Sequence, residues 1–271
     1  MMNAIFKYPG SKWSIAKWIV DHFPDGYERM IYLEPFAGSL AVFFNKAPSS
    51  VEVINDLDSE VVNIFRVLRE RPDDLERMIL LTPYSREEYD LAFEDTEDPM
   101  EKARRFMVRT NMGIGSRRCG KSGWQCRVSK DPGGSAVKWN TVLREIEPAA
   151  RRLRGSSTNL VHIENCDALE LIKRFNKPDV LMYLDPPYLR KIRKSGALYA
   201  HEMDDAIHAQ LLETLSGSSA KIVISGYDND LYNTHLSEWH KDSTASKAFV
   251  GDTEETIWMN YEPSAQMGFG I

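Results

Sequence analysis

The stretch "DVLMYLDPPY" (residues 179–188) runs from an apolar segment into an acid, two prolines and an aromatic ring. Its first part reads as a strand buried on both faces, because a short continuous apolar run with a turn signal at its end suits a central parallel strand. Its second part cannot continue as a helix: Pro186 and Pro187 have fixed φ and no N–H, and each pushes the residue before it towards extended geometry. The turn therefore presents acceptors in a fixed arrangement, the Asp185 carboxylate and backbone carbonyls, with the Tyr188 ring beside them. Such a set suits a planar ligand carrying an exocyclic amino group, either adenine or cytosine.

The same punctuation recurs on either side. "MIYLEPFAG" (30–38) and "VEVINDLD" (51–58) are apolar runs that end in acids or a Pro–Gly turn, and "SEVVNIFRVLRER" carries Val61, Val62, Ile64, Phe65 and Leu68 at the spacing of an amphipathic helix. The pattern resumes with "NLVHIENCDALELIKRF" (159–175), a helix over "DAIHAQLLETL" (205–215), and strands in "AKIVISGY" (220–227) and "EETIWMNYE" (254–262). Strands alternating with helices predict an α/β fold with a mostly parallel sheet covered on both faces. Between about residues 71 and 155 the pattern breaks into a charged, helix-like stretch and then a Gly-, Ser- and Arg-rich one, which reads as an insertion.

In an open α/β sheet ligands bind at the carboxyl ends of the strands. Glu34, Asp56, Asp167 and Asp185 all fall there, and although any one such acid is more often a helix cap or a turn residue, four in register point to a ligand. Gly38 permits close backbone approach after the first strand, but no G-x-G-x-x-G accompanies it, which disfavours a nicotinamide enzyme. In "KYPGSKW" (7–13) a Pro–Gly turn lies between Lys7 and Lys12, next to Tyr8.

Composition sets outer limits. A chain of 271 residues that is 42% hydrophobic can build one large domain or a domain with an insertion. Cys119, Cys126 and Cys166 show neither a paired framework nor metal-ligand spacing, so the reading is a reduced, cytoplasmic protein without a metal, and no apolar stretch is long enough to cross a membrane. Residues 102–130 hold nine Lys or Arg and no acid, which leaves the rest of the chain at −15 against an overall net charge of −6. Basic runs are often only solvated loops; here the interleaved Gly, Ser, Asn111 and Trp124 favour contact with nucleic acid. Arg104, Arg105, Arg109, Arg117, Arg118, Lys121, Arg127 and Lys130 are the candidate cations, with "RKIRK" (190–194) a second, weaker one.

Taken in order, "KYPGSKW", "EPFAGSLAVFF", "NDLDSEVVNIF", "CDALELI", "YLDPPY" and "TEETIWMNY" resemble the Dam-type family of DNA adenine-N6 methyltransferases, over nearly the whole chain. The resemblance implies a Rossmann-like sheet that binds S-adenosylmethionine, formed by residues 1–70 and 156–271, with a mainly helical DNA-recognition domain inserted at 71–155. It implies cofactor contacts from Tyr8, Lys12, Glu34, Phe36, Gly38, Asp56, Asp167 and Asp185, and a catalytic loop of Asp185, Pro186, Pro187 and Tyr188. The partner is then double-stranded DNA, bound by a monomer, with no endonuclease indicated. One departure stands out: many members carry F-x-G-x-G in the first motif, whereas "FAGSL" has Leu40 as its last residue. Cytosine-N4 methylation is the alternative chemistry, and a catalytically silent DNA-binding module of the same fold the alternative class. A C5-cytosine enzyme is disfavoured because none of the three cysteines follows proline.

Overall fold

A computed structural model describes residues 2–115, 120–126, 135–189, 199–248 and 251–263. Among them seven strands form one sheet: β1 (Ile31–Glu34), β2 (Val51–Asn55), β3 (Leu160–Glu164), β4 (Val180–Leu184), β5 (Lys221–Gly226), β6 (His240–Ala248) and β7 (Gly251–Met259), in the order β3-β2-β1-β4-β5-β7-β6. β3 to β5 pair in parallel, while β7 runs antiparallel to both β5 and β6. The strand order reverses between β1 and β4, and the crevice outside their carboxyl ends is where such sheets take ligands.

Both faces are covered, as the continuous apolar runs predict. Alternate residues of β4 divide between two cores: Leu181 and Tyr183 face one, Val180, Met182 and Leu184 the other. On the first face lie α1 (Ala16–Asp21), α2 (Ala41–Asn45) and α3 (Ser59–Glu70); on the second lie α8 (Ala168–Arg174), α9 (Asp205–Ser216) and α10 (Asp230–His235). In α3 the Asp58 side chain caps the first turn by accepting from the Glu60 N–H, and the predicted apolar stripe is buried. The helix stops at Arg71 because Pro72 follows, and Pro72 opens the next helix, where its missing N–H has no intrahelical partner to lose.

The insertion supplies α4 (Pro72–Leu81), α5 (Arg86–Leu91), α6 (Pro99–Met112) and α7 (Ser135–Arg154). It shares its core with the sheet's first face. Phe106 of α6 meets Phe6 edge to face at 4.9 Å, and α7 packs against α3. Arg152 of α7 reaches Glu52 on β2 and donates to both carboxylate oxygens. The chain then re-enters the sheet through a tight turn: Gly155 has φ +70°, Asn159 donates to the Ser49 carbonyl and to Glu52, and the Leu160 N–H donates to Ser50 O at 2.9 Å. Several elements escape the sequence reading, α10 among them. α7 is obscured by an interior proline, Pro148, and β6 is a polar edge strand, "HKDSTASKA", with no apolar run to announce it.

Candidate active site

β1 leaves the sheet through Pro35 and turns over residues 36–40. The Ala37 N–H donates to Asn55 O at 2.8 Å and the Leu40 N–H to Ala37 O at 2.7 Å. Gly38 has φ +47°, and a Cβ there would meet the Tyr8 ring at 3.0 Å, so both conformation and contact favour glycine. Leu40, where the family's motif often has glycine, also lies in the left-handed region at φ +55°. Its side chain is fully buried. The turn thus keeps a glycine-like backbone with a leucine, and burial of that side chain offsets the strain.

The Gly38 N–H donates to Asp56 Oδ2 at 2.9 Å, and Asp56 Oδ1 accepts from the Asp58 N–H, so the second strand's acid is oriented by the first strand's turn. Asn55 ties three strand exits together. Its amide donates to Pro35 O and Cys166 O, and it accepts from the Cys166 N–H. Asp167, next in chain, caps α8 by accepting from the Leu169 and Glu170 N–H groups while lining the cleft. Cap and cleft wall are one residue.

The cleft so formed has about 1080 Å³ of empty space, including its open mouth. All eight residues expected to contact a cofactor, Tyr8, Lys12, Glu34, Phe36, Gly38, Asp56, Asp167 and Asp185, line it. Sequence reasoning missed the segment 199–207, which supplies Tyr199, Glu202, Met203 and Ile207 to the same walls. No local pattern marks it. Leu57 and Ile207 are large apolar side chains left 49% and 38% exposed, and both face the cleft.

Asp185 ends β4 at the cleft floor. Lys12, only 3% exposed, lies 2.9 Å from both of its carboxylate oxygens, and the Ser225 hydroxyl donates to Oδ1 at 3.0 Å. Burial alone would lower the Lys12 pKa, but Asp185 and then Glu255 outweigh it and hold the ammonium above its ordinary value. Glu34 is buried beside the Tyr32 hydroxyl, which donates to it at 2.6 Å, and burial pushes its pKa up to about 8. Pro187 faces the cleft, and Pro186 is buried behind it. Tyr188 is buried too, with the Lys12 ammonium 4.7 Å above its ring and Tyr227 edge-on at 4.7 Å. The ring that the sequence offered to a base is thus covered by Lys12 in this arrangement.

The candidate DNA contacts divide. Arg105 donates to Glu101 and to the Glu94 carbonyl; Arg109 bonds Glu60 and the Ala92 carbonyl; Asn111 donates to Ile5 O and Met107 O. Arg104 bridges Glu88 and Glu101, and its hydrogen bond, with that of Arg105, holds the Glu101 carboxyl down at about 2. These four are engaged inside the protein: counting residues 102–130 alone omitted Glu101, on α6 itself, and Glu60 and Glu88, which reach α6 from other helices. Lys121 forms an exposed pair with Asp90, worth little in water. Trp124 stacks at a tilt on Tyr84 under the Arg86 guanidinium, and its buried indole N–H has no partner among the described residues. Arg117, Arg118, Arg127, Lys130 and the run 190–194 lie outside the described residues.

The chain is similar to several known proteins. A profile of the D12 class N6 adenine-specific DNA methyltransferases matches residues 8–248. The type II methyltransferase M1.LlaDCHI of Lactococcus lactis subsp. cremoris is 28% identical over 281 positions, covering 94% of each chain. Two structures of the rRNA methyltransferase aviRa from Streptomyces viridochromogenes are each 14% identical, cover 95% and 93% of this chain and 90% and 85% of their own, and superpose with TM-scores of 0.43 and 0.42.

Proposed function

The chain belongs to the D12 class N6 adenine-specific DNA methyltransferase family, and from that premise we propose how its cleft methylates an adenine turned out of duplex DNA with S-adenosylmethionine as donor. The observation that carries this reading is the meeting of Asp185 with the Gly38 turn and Asp56 in one cleft at the strand ends. When bound, S-adenosylmethionine supplies an electrophilic methyl group.

The lining fits that donor. Acids line the cleft, and Lys12, its buried cation, is paired with Asp185. Such walls favour a cationic group and sugar hydroxyls and repel a pyrophosphate. Asp56 would receive the ribose hydroxyls, the Gly38 backbone the methionine side, and the otherwise costly exposure of Leu57 and Ile207 would end against the faces of a purine.

An adenine amino group is a poor nucleophile because its lone pair is delocalised into the ring. Asp185 and the Pro186 carbonyl accept its two hydrogens, which favours a more tetrahedral nitrogen with its lone pair aimed along the cleft. The proton released from N6 leaves along the bond to Asp185. Positioning and electrostatics do the work. A stacked base cannot reach this turn, so the target is extruded, at a cost of a few kcal/mol that contact with the Tyr188 ring, once Lys12 withdraws from its face, partly offsets.

The test is incubation with labelled S-adenosylmethionine and plasmid DNA, followed by nucleoside analysis: N6-methyladenine is expected, and N4-methylcytosine in its place would reassign the base. Asp185→Ala should transfer the methyl group about 10³-fold more slowly than the parent. Near-normal methylation by that variant would sink the role given to Asp185.

A further inference from the structure

Contact with a base needs only the Tyr188 ring, yet the hydroxyl is buried and engaged: it donates to Glu255 Oε2 at 2.6 Å. Glu255 belongs to β7, and its same-face neighbours Ile257 and Met259 are fully buried in the core. An apolar side chain would match those neighbours but would leave the Tyr188 hydroxyl without its acceptor. A carboxylate at 6% exposure instead loses its hydration, which is tolerated only where partners replace the water. Because β7 runs antiparallel to β5, with Thr256 opposite Gly226, Glu255 is delivered to the carboxyl end of β5 beside the exit of β4. Sheet topology, not sequence proximity, brings it to the catalytic loop.

A tyrosine hydroxyl lies on the long axis of its ring. The Pro186–Pro187 turn fixes the near end of that axis, Glu255 holds the far end, and Tyr227, edge-on at an interplanar angle of 66°, limits rotation about it. We propose that Glu255 is a positioning residue for methyl transfer, holding the Tyr188 ring where an extruded adenine must lie against it. The proposal rests on the reading of Asp185 and Tyr188 above. Burial pushes the Glu255 carboxyl up, and Lys12 and the Tyr188 hydroxyl draw it back, so its charge is tied to the same loop.

Single-turnover transfer to plasmid DNA and donor affinity, measured on the full chain, test the idea. Glu255→Met, which removes the acceptor and keeps the volume, should slow transfer about 10- to 100-fold while donor Kd moves less than about threefold. Glu255→Gln, which can still accept, should recover most of that loss. Tyr188→Phe should reproduce the Glu255→Met defect, and the double variant should be no slower than either single one. Should Glu255→Met not fold, Tyr188→Phe and Glu255→Gln still decide. Transfer at the parental rate by Tyr188→Phe overturns the proposal, as do losses that multiply in the double variant or a defect confined to donor affinity. A parental chain that makes no N6-methyladenine overturns the reading of the loop instead, and the two failures are thereby told apart.

Discussion

Two buried charge networks sit at opposite ends of the same strands. At the amino end, Glu52 is fully buried and meets Lys46, Arg152, the Ser49 N–H and Asn159. At the carboxyl end, Lys12 faces Asp185, with Glu255 and Glu34 near by. The first network is closed: two cations and two neutral donors enclose one carboxylate. The second is open, with two carboxyl groups, Asp185 and Glu255, around one ammonium on the wall of a cleft. Closed networks hold elements together, whereas an excess of one charge beside empty space marks where a ligand of the other charge is received.

The closed network is most vulnerable at Glu52. Glu52→Ala leaves Lys46 and Arg152 buried without their counter-ion, and should cost about 3–5 kcal/mol in urea unfolding. A loss under about 1 kcal/mol would mean that the amino-end network carries no such weight. At the other end, Lys12→Met should slow methyl transfer about 10²-fold, the scale expected when a reacting group loses its placement. It should also move the acid limb of the pH–rate profile upward, because the Glu255 carboxyl without the ammonium protonates at higher pH. An unmoved limb would detach Lys12 from the chemistry.

Glu34 extends the contrast to pH. Its folded pKa of about 8 stands above the ordinary 4.5, so between those values the folded chain keeps a proton that the unfolded chain has released. Its contribution to stability is therefore full below 4.5 and lost as pH rises through 8. The slope is at most about 1.4 kcal/mol per pH unit, and urea midpoints for Glu34→Gln from pH 5 to 9 should show that slope flattened. The smallest effect concerns Leu40. Glycine usually destabilises more than alanine, but at a left-handed backbone the order should invert, with Leu40→Gly the less damaging of the two by about 1 kcal/mol in the same unfolding assay.

The open end was more legible in sequence than the closed one, for a physical reason. Parallel strands buried on both faces are written as continuous apolar runs, and the residues just past each run fall at one edge of the sheet. Glu34, Asp56, Asp167 and Asp185 could therefore be placed together without a structure. Asn55, Ser225, Glu255 and the wall at 199–207 could not, because their contacts depend on which strands become neighbours. The basic run could not be read by counting: the acids that pair with Arg104, Arg105 and Arg109 lie outside the counted span, Glu101 one residue before it on the same helix, Glu88 and Glu60 on other helices.

The tight re-entry at Gly155–Leu160 bears on what this architecture can vary over generations. β2 and β3 pair in register from Val51↔Leu160 to Asn55↔Glu164, although the whole helical excursion lies between them. That register is secured at the seam itself, by Asn159, Arg152 and the Leu160 N–H. Replacing α6 or α7 would disturb the shared core. Of the residues between those helices, the described ones, 113–115 and 120–126, carry no part of that register, so their replacement leaves the pairing of β2 with β3 in place.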